Sequence, residues 1–270
     1  MPELPEVETT RKGIKPYVDK QVVEKIIIRQ PRLRWEVPDA IHDMEGETIQ
    51  SVTRRGKYIL LETLKGTALI HLGMSGSLRV LDFGTAPEKH DHIDFEFSNK
   101  KLIRLRDPRR FGAVLWTTKN PLKHKLIRSL GPEPLGDEFN VDYLFQTSRG
   151  RKVSIKQFIM NGHIVVGVGN IYACESLFKA GISPKALAGK VSKKRYEKLV
   201  EVIKNVLVRA IEQGGTTLKD FVRVEGSPGY FQQQLNVYGR AGDRCLNCDS
   251  VIKQIKQGQR STFYCSTCQR

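Results

Sequence analysis

The second and third residues of the chain are Pro2 and Glu3. Removal of the initiator methionine, which a small following residue permits, leaves a secondary amine at the chain end with a carboxylate beside it. A free α-amino group has a reference pKa of about 8 against about 10.4 for lysine, so far more of it is unprotonated near neutral pH. The amine of proline is somewhat more basic than that reference. Such an amine can attack an acetal-like sugar carbon and form an iminium, the electron sink that drives elimination. Most chains beginning Met-Pro put the proline to no such use, so the remaining signals must decide.

Four of the five cysteines form Cys245-x2-Cys248-x16-Cys265-x2-Cys268 near the C-terminus. Each Cys-x2-Cys turn places two thiolates on one side of a tight bend, and the separation accommodates a two-stranded hairpin, which is the ligand set of a structural zinc ribbon. Disulfides or free thiols are the alternatives, disfavoured because the acidic N-terminus lacks an apolar signal-peptide core and so points to a reducing, cytoplasmic compartment. The loop between the two pairs carries Lys253, Lys256, Gln259 and Arg260, which suits a hairpin tip set against a polyanion. The fifth cysteine, Cys174, reads as a small half-buried side chain.

Two further segments mix basic, aromatic and flexible residues. Asp107-Pro108-Arg109-Arg110-Phe111-Gly112 can wedge a ring into a base step while a guanidinium fills the vacated position. An ordinary β-turn with a buried Phe111 explains the same residues. His71-Leu72-Gly73-Met74-Ser75-Gly76 holds a methionine between glycines, able to fill a gap in a base stack or only a gap in a core. Gly167-Val168-Gly169-Asn170 precedes a helix and offers backbone N–H groups to an anion, although it lacks the third glycine of a dinucleotide fingerprint and the lysine of a P-loop.

The elements that must position these residues change character along the chain. Val22–Arg29, Tyr58–Leu64, Ala68–His71, Ile93–Phe97, Lys101–Arg106 and Ala113–Thr117 read as strands between turn signals, hence a sandwich, preceded by a helix from Pro5 to about Val18. Prolines and glycines crowd Gly131–Gly136 and mark a boundary. Beyond it Ile155–Met160, Ile171–Lys179 and a long amphipathic helix behind Ser192 predict a helical region lasting to about residue 222, with Ser192 as N-cap and Gly214-Gly215 as the stop.

With 45 Lys+Arg against 29 Asp+Glu the chain carries a net charge of +16. The excess is uneven: residues 1–100 balance to −1, residues 101–200 to +13 and the remainder to +4. A localised basic excess reads as a phosphate-binding footprint. No apolar run reaches the 18 residues of a membrane span.

PELPEVET at the start, RRGKY around Lys57, HLGMSG around Met74, DPRRFG around Arg109, VVGVGNIYACESLF around Asn170, QGGTTLKDF, GYFQQQLNVYGR and the four-cysteine finger together resemble the bacterial formamidopyrimidine-DNA glycosylase family, in its order and along the whole length. The resemblance implies an α+β multi-domain fold: an N-terminal β-sandwich with an N-terminal helix (1–132), a linker (133–150), a helix-two-turn-helix domain (151–228) and a C-terminal β-hairpin zinc-finger region (229–270). It implies a bifunctional base-excision enzyme that removes 8-oxoguanine and formamidopyrimidines from duplex DNA and cuts the strand by β,δ-elimination. Pro2 would be the nucleophile and Glu3 the acid toward the sugar ring oxygen. Glu6 would support the site and Lys57 would bind phosphate and assist.

The same resemblance places Met74, Arg109 and Phe111 in the duplex, with Arg109 facing the orphaned cytosine. His71, Asn170 and Arg260 would grip the backbone, with Lys156 and Tyr238 as further contacts and Thr217–Tyr230 as a loop over the extruded purine. One zinc on Cys245, Cys248, Cys265 and Cys268 would be structural, and the expected partner is double-stranded DNA containing oxidised purines, bound by a monomer without a membrane. The chain departs from the family pattern at Asn161-Gly162 and at Cys174. Two rivals remain open: an endonuclease VIII-type glycosylase for oxidised pyrimidines, and a non-catalytic zinc-ribbon DNA-binding protein, which leaves PELPE and DPRRFG unexplained.

Overall fold

The computed structural model describes residues 2–214 and 235–270. The expected covering loop from Thr217 to Tyr230, and the expected helix beyond 214, lie outside the described residues. The chain divides into two units, one containing residues up to Ser129 and the other containing Leu130–Gln213 together with the C-terminal segment through Arg270.

The first unit opens with helix α1 (Leu4–Val18), whose buried stripe of Leu4, Val7, Ile14 and Val18 follows helical spacing. Two four-stranded antiparallel sheets follow. Strands β1 (Val23–Ile28), β5 (Ser77–Asp82), β6 (Asp91–Phe97) and β7 (Lys101–Arg106) form one sheet in the order β1-β6-β7-β5. The other sheet, ordered β2-β3-β4-β8, is built from β2 (Ser51–Arg55), β3 (Tyr58–Glu62), β4 (Thr67–His71) and β8 (Ala113–Thr117). Alternation sorts the faces: Ile93 pairs with Leu105 and Phe95 with Ile103, all fully buried.

On the opposite face Arg104 lies across from Asp94 and grips it in a two-pronged pair at 2.8 and 2.7 Å. The same guanidinium donates to the Thr85 and Ala86 carbonyls. This satisfies a buried cation and pins the β5–β6 loop over the sheet.

The second unit contains α2 (Val141–Ser148), α3 (Ile155–Met160), α4 (Asn170–Lys179) and α5 (Lys193–Glu212), followed by the hairpin β9 (Lys253–Gln257) and β10 (Arg260–Tyr264). Ser192 caps α5 by accepting from the Arg195 N–H, and Gly214 at φ 81° supplies the left-handed residue just past its end. The hairpin turns on Gly258 and Gln259, both at positive φ, as a two-residue primed turn requires.

Within the 133–150 segment α2 forms, and Phe139 and Leu144 are fully buried with residues of α3, α4 and α5. In the zinc-finger region Val237, Ile252 and Phe263 share an apolar cluster with Cys174 and Phe178 of α4. Strands β2 and β5 were not expected from the sequence. Their Arg54, Arg55 and Arg79 break the apolar pattern, and Arg54 and Arg79 belong to ion pairs with Glu8 and Asp91 that local sequence does not display. Among the described residues no helix is long and apolar enough to cross a membrane.

Candidate active site and nucleic-acid interface

Pro2 is buried immediately before α1. Glu3 is the N-cap of that helix and forms a reciprocal capping box with Glu6, the Glu3 N–H donating to Glu6 Oε2 at 2.9 Å. Glu3 is 2% exposed and Glu6 0%, so Glu6 fixes the direction from which the chain end enters.

The helix is tied to the β2–β3 hairpin by a residue the sequence reading missed. Glu8 accepts from Arg11 at 2.7 Å and from Arg54 at 3.0 Å, Arg11 also donates to the Val52 carbonyl, and Arg54 donates to the Gly56 carbonyl. Burial alone would raise the Glu8 pKa, but the two guanidinium groups outweigh it and hold the carboxyl below its ordinary value. Gly56, at φ 58°, and Lys57 form the two-residue turn of the hairpin, so the network anchors the turn carrying Lys57 to the helix that starts at Leu4.

His71 ends β4 directly opposite Tyr58, their rings 4.9 Å apart. Its Nδ1 accepts from the Gly73 N–H at 2.9 Å, which places the ring proton of the neutral imidazole on Nε2 as a donor. Burial first, then the positive charges of Lys57 and Arg34, push its pKa down to about 4. A neutral imidazole can give one hydrogen bond to phosphate beside the ammonium of Lys57.

The two wedge candidates interlock. A side chain on Gly73 would sit 2.3 Å from the Phe111 carbonyl carbon, and Gly73 has φ +63°, so both position and conformation demand glycine. Met74 is partly exposed. Phe111 is 44% exposed, against the buried-ring alternative, and the Arg109 guanidinium lies 5.0 Å from its ring centroid. An exposed aromatic ring under an exposed guanidinium is suited to base stacking.

In the second unit Lys156 is 1% exposed. Its Nζ donates to Thr262 Oγ1 at 2.6 Å and to the Ser261 carbonyl at 3.1 Å. Asn170, the first residue of α4, donates to the same carbonyl at 2.9 Å, and among the described residues its second amide hydrogen is uncommitted. Both side chains therefore hold the start of β10, where Arg260 is exposed. Tyr238 packs edge-on against Phe263 at 5.0 Å. Its N–H, with those of Asn236 and Val237 and the Asn236 side chain, donates to the buried Glu175 carboxylate; Glu175 too was missed, since nothing in VGNIYACESLF distinguishes its acid from a solvated one.

Four thiolates around a zinc at about 2.3 Å lie about 3.8 Å apart. Cys245 and Cys268 Sγ are 3.9 Å apart, Cys248 and Cys265 Sγ 3.4 Å, and all four lie within 4.8 Å of one another. The residues fit one structural zinc, and four protein ligands leave no open position for catalysis. Cys174 is 1% exposed, within the finger's apolar cluster rather than half-buried. At the other departure Asn161 ends α3 and its side chain accepts from the His163 N–H, while a side chain on Gly162 would meet only Leu130 at 3.7 Å, so that turn closes without strain.

Two antiparallel sheets behind a buried Pro2-Glu3 segment, and a helical unit carrying an arginine-tipped four-cysteine hairpin, define the class of zinc-finger DNA-repair glycosylases. Family models match in three stretches: the formamidopyrimidine-DNA glycosylase N-terminal domain over residues 1–114, the formamidopyrimidine-DNA glycosylase H2TH domain over 130–222, and the zinc finger found in FPG and IleRS over 242–270. The formamidopyrimidine-DNA glycosylase of Idiomarina loihiensis is 56% identical over 270 residues, covering 100% of each chain. Lactococcus lactis Fpg bound to DNA containing N7-benzyl-Fapy-dG matches with a TM-score of 0.91 at 31% identity, covering 100% of both chains. The same protein with abasic-site DNA also matches at 0.91 and 31%, covering 99% of both. The chain belongs to the formamidopyrimidine-DNA glycosylase family.

Proposed function

We infer that this chain is a base-excision repair glycosylase and abasic-site lyase acting on 8-oxoguanine and formamidopyrimidines in duplex DNA, as a monomer in the bacterial cytoplasm. The observation that carries the reading is the built chain end: Pro2 and Glu3 are buried, Glu3 is held by Glu6, and the helix that follows is anchored through Glu8 to the turn that carries Lys57. With Met1 removed, the Pro2 nitrogen attacks C1′ as the bond from C1′ to the base breaks; the base departs with the bonding pair, and the proton that the amine then loses balances the charge of the departing base. Glu3 gives a proton to the ring oxygen, the sugar opens and an iminium forms. The iminium acidifies the C2′ proton, whose loss expels the 3′ phosphate; a second elimination releases the 5′ phosphate.

Lys57, His71, Asn170 and Arg260 grip phosphates, and Met74, Arg109 and Phe111 occupy the space left by the extruded nucleotide, offsetting a few kcal/mol of lost stacking. Lys156 serves this grip from inside, through the Ser261 carbonyl, and Tyr238 through its packing on Phe263.

Borohydride trapping tests the reading. A covalent adduct is expected with duplexes holding 8-oxoguanine opposite cytosine, more than with oxidised pyrimidines, and Pro2→Gly abolishes it. Retention of Met1 by intact mass, or no adduct with any lesion, overturns the amine mechanism. Preferential trapping on pyrimidine lesions transfers the chain to the endonuclease VIII-type specificity.

A further inference from the structure

The two loops that carry Met74 and Arg109 are joined by a buried bridge that the reaction chemistry does not use. Ser75 is 9% exposed and Asp107 0%. The Ser75 hydroxyl donates to Asp107 Oδ1 at 2.8 Å and accepts from the Arg109 backbone N–H at 3.3 Å. Asp107 Oδ2 accepts from the Gly112 N–H at 2.7 Å, so one carboxylate closes the Asp107–Gly112 turn with one oxygen and holds the Met74 loop with the other. The Asp107 carbonyl is held in turn by His92 Nε2 at 2.8 Å and its N–H by the His90 carbonyl. The Asp107 carbonyl also accepts from the Arg110 N–H at 3.1 Å, so this aspartate fixes the turn that carries Arg109 and Phe111, while their side chains remain exposed.

We propose that Ser75 and Asp107 form the positioning pair that holds Arg109 in register with Met74, and so set how strictly the enzyme reads the base opposite the lesion. The proposal rests on the reading that Met74, Arg109 and Phe111 enter the duplex. Neither Ser75 nor Asp107 touches DNA in it. Their effect arises because a guanidinium discriminates bases by hydrogen-bond geometry, and a displacement of about 1 Å in a positioned group can cost a hundredfold. Without the Ser75 hydroxyl, Asp107 Oδ1 loses its partner and the Arg109 N–H its acceptor, so the turn is free to shift against Met74.

Single-turnover excision of 8-oxoguanine opposite cytosine and opposite adenine, with cleavage of a preformed abasic site as the third substrate, tests this. In Ser75→Ala the preference for cytosine over adenine should fall about tenfold, and excision of the paired lesion should fall several-fold more than abasic cleavage, which needs no base extrusion. Ser75→Thr, which keeps the hydroxyl, should restore most of the preference; a purely structural role would lower all three rates together. Arg109→Ala is run in parallel. Loss of preference in Arg109→Ala but not in Ser75→Ala overturns the positioning pair alone, whereas an unchanged preference in both overturns the wedge reading beneath it. If Ser75→Ala does not fold, Ser75→Cys, of similar size with a weaker donor, replaces it, and an unchanged preference there counts equally against the pair.

Discussion

The most direct consequence of the site geometry is a proton-linked instability at His71. Its Nδ1 is committed to accepting the Gly73 N–H, so protonation sets two donors against each other beside the Lys57 ammonium. The folded-state pKa is about 4 against an ordinary 6.5. Because the folded pKa is depressed, the unfolded chain binds the proton first. Stability is fully present above about pH 6.5, is lost as the pH falls below it, and levels off below about pH 4. Integrated between pH 8 and pH 5, this one group removes about 2 kcal/mol of folding stability. Denaturant unfolding of the wild type and of His71→Asn measures it, since asparagine can offer an acceptor oxygen to Gly73 and does not titrate. The wild type should lose about 2 kcal/mol more than the variant over that interval. A difference that stays flat with pH, or a His71 ring midpoint near 6.5 by NMR, refutes both the tautomer and the neutral phosphate donor derived from it.

Other consequences follow from single contacts. Arg260→Ala should lower the salt dependence of DNA binding by about one unit of slope, and an unchanged slope means that the hairpin tip does not touch phosphate. Glu175→Gln removes one of two carboxylate oxygens that accept four hydrogen bonds at Asn236–Tyr238; it should cost about 2 kcal/mol of stability, measured by denaturant unfolding, through buried N–H groups left unpaired. Chelation of zinc should make Cys174 reactive toward thiol reagents along with the four ligands, because its burial depends on the finger cluster. A Cys174 that stays protected after complete metal loss would show that α4 covers it unaided.

The position of α1, six of the eight strands of the sandwich, α3, α4, α5 and the zinc hairpin were legible because each is announced locally. Apolar residues recur at helical spacing in Leu199–Ala210, they run or alternate through Ile93–Phe97, and cysteines come in pairs. What escaped was carried by partners far away in the chain. β2 contains two arginines that look solvated until Glu8 and the Gly56 carbonyl are seen to receive one of them. The segment 133–150 reads as a linker from its prolines and glycines, yet Phe139 and Leu144 are core because α5 supplies the opposing surface. Lys156 carries the charge of a phosphate ligand, and only the fold shows its ammonium turned inward onto Ser261 and Thr262.

The sequence by itself offered the candidate reacting groups and the metal set: a secondary amine can stand at the chain end only where a proline such as Pro2 is the first residue left, and four thiolates at that spacing need little besides a hairpin to converge. Tertiary structure alone decided how those groups are held. Glu8 and Arg54 are 46 residues apart and Ser75 and Asp107 are 32 apart, and no local pattern links them. A hydrogen bond is directional and short, so whether two such residues meet depends on strand register and loop path, which the packing of the whole unit fixes.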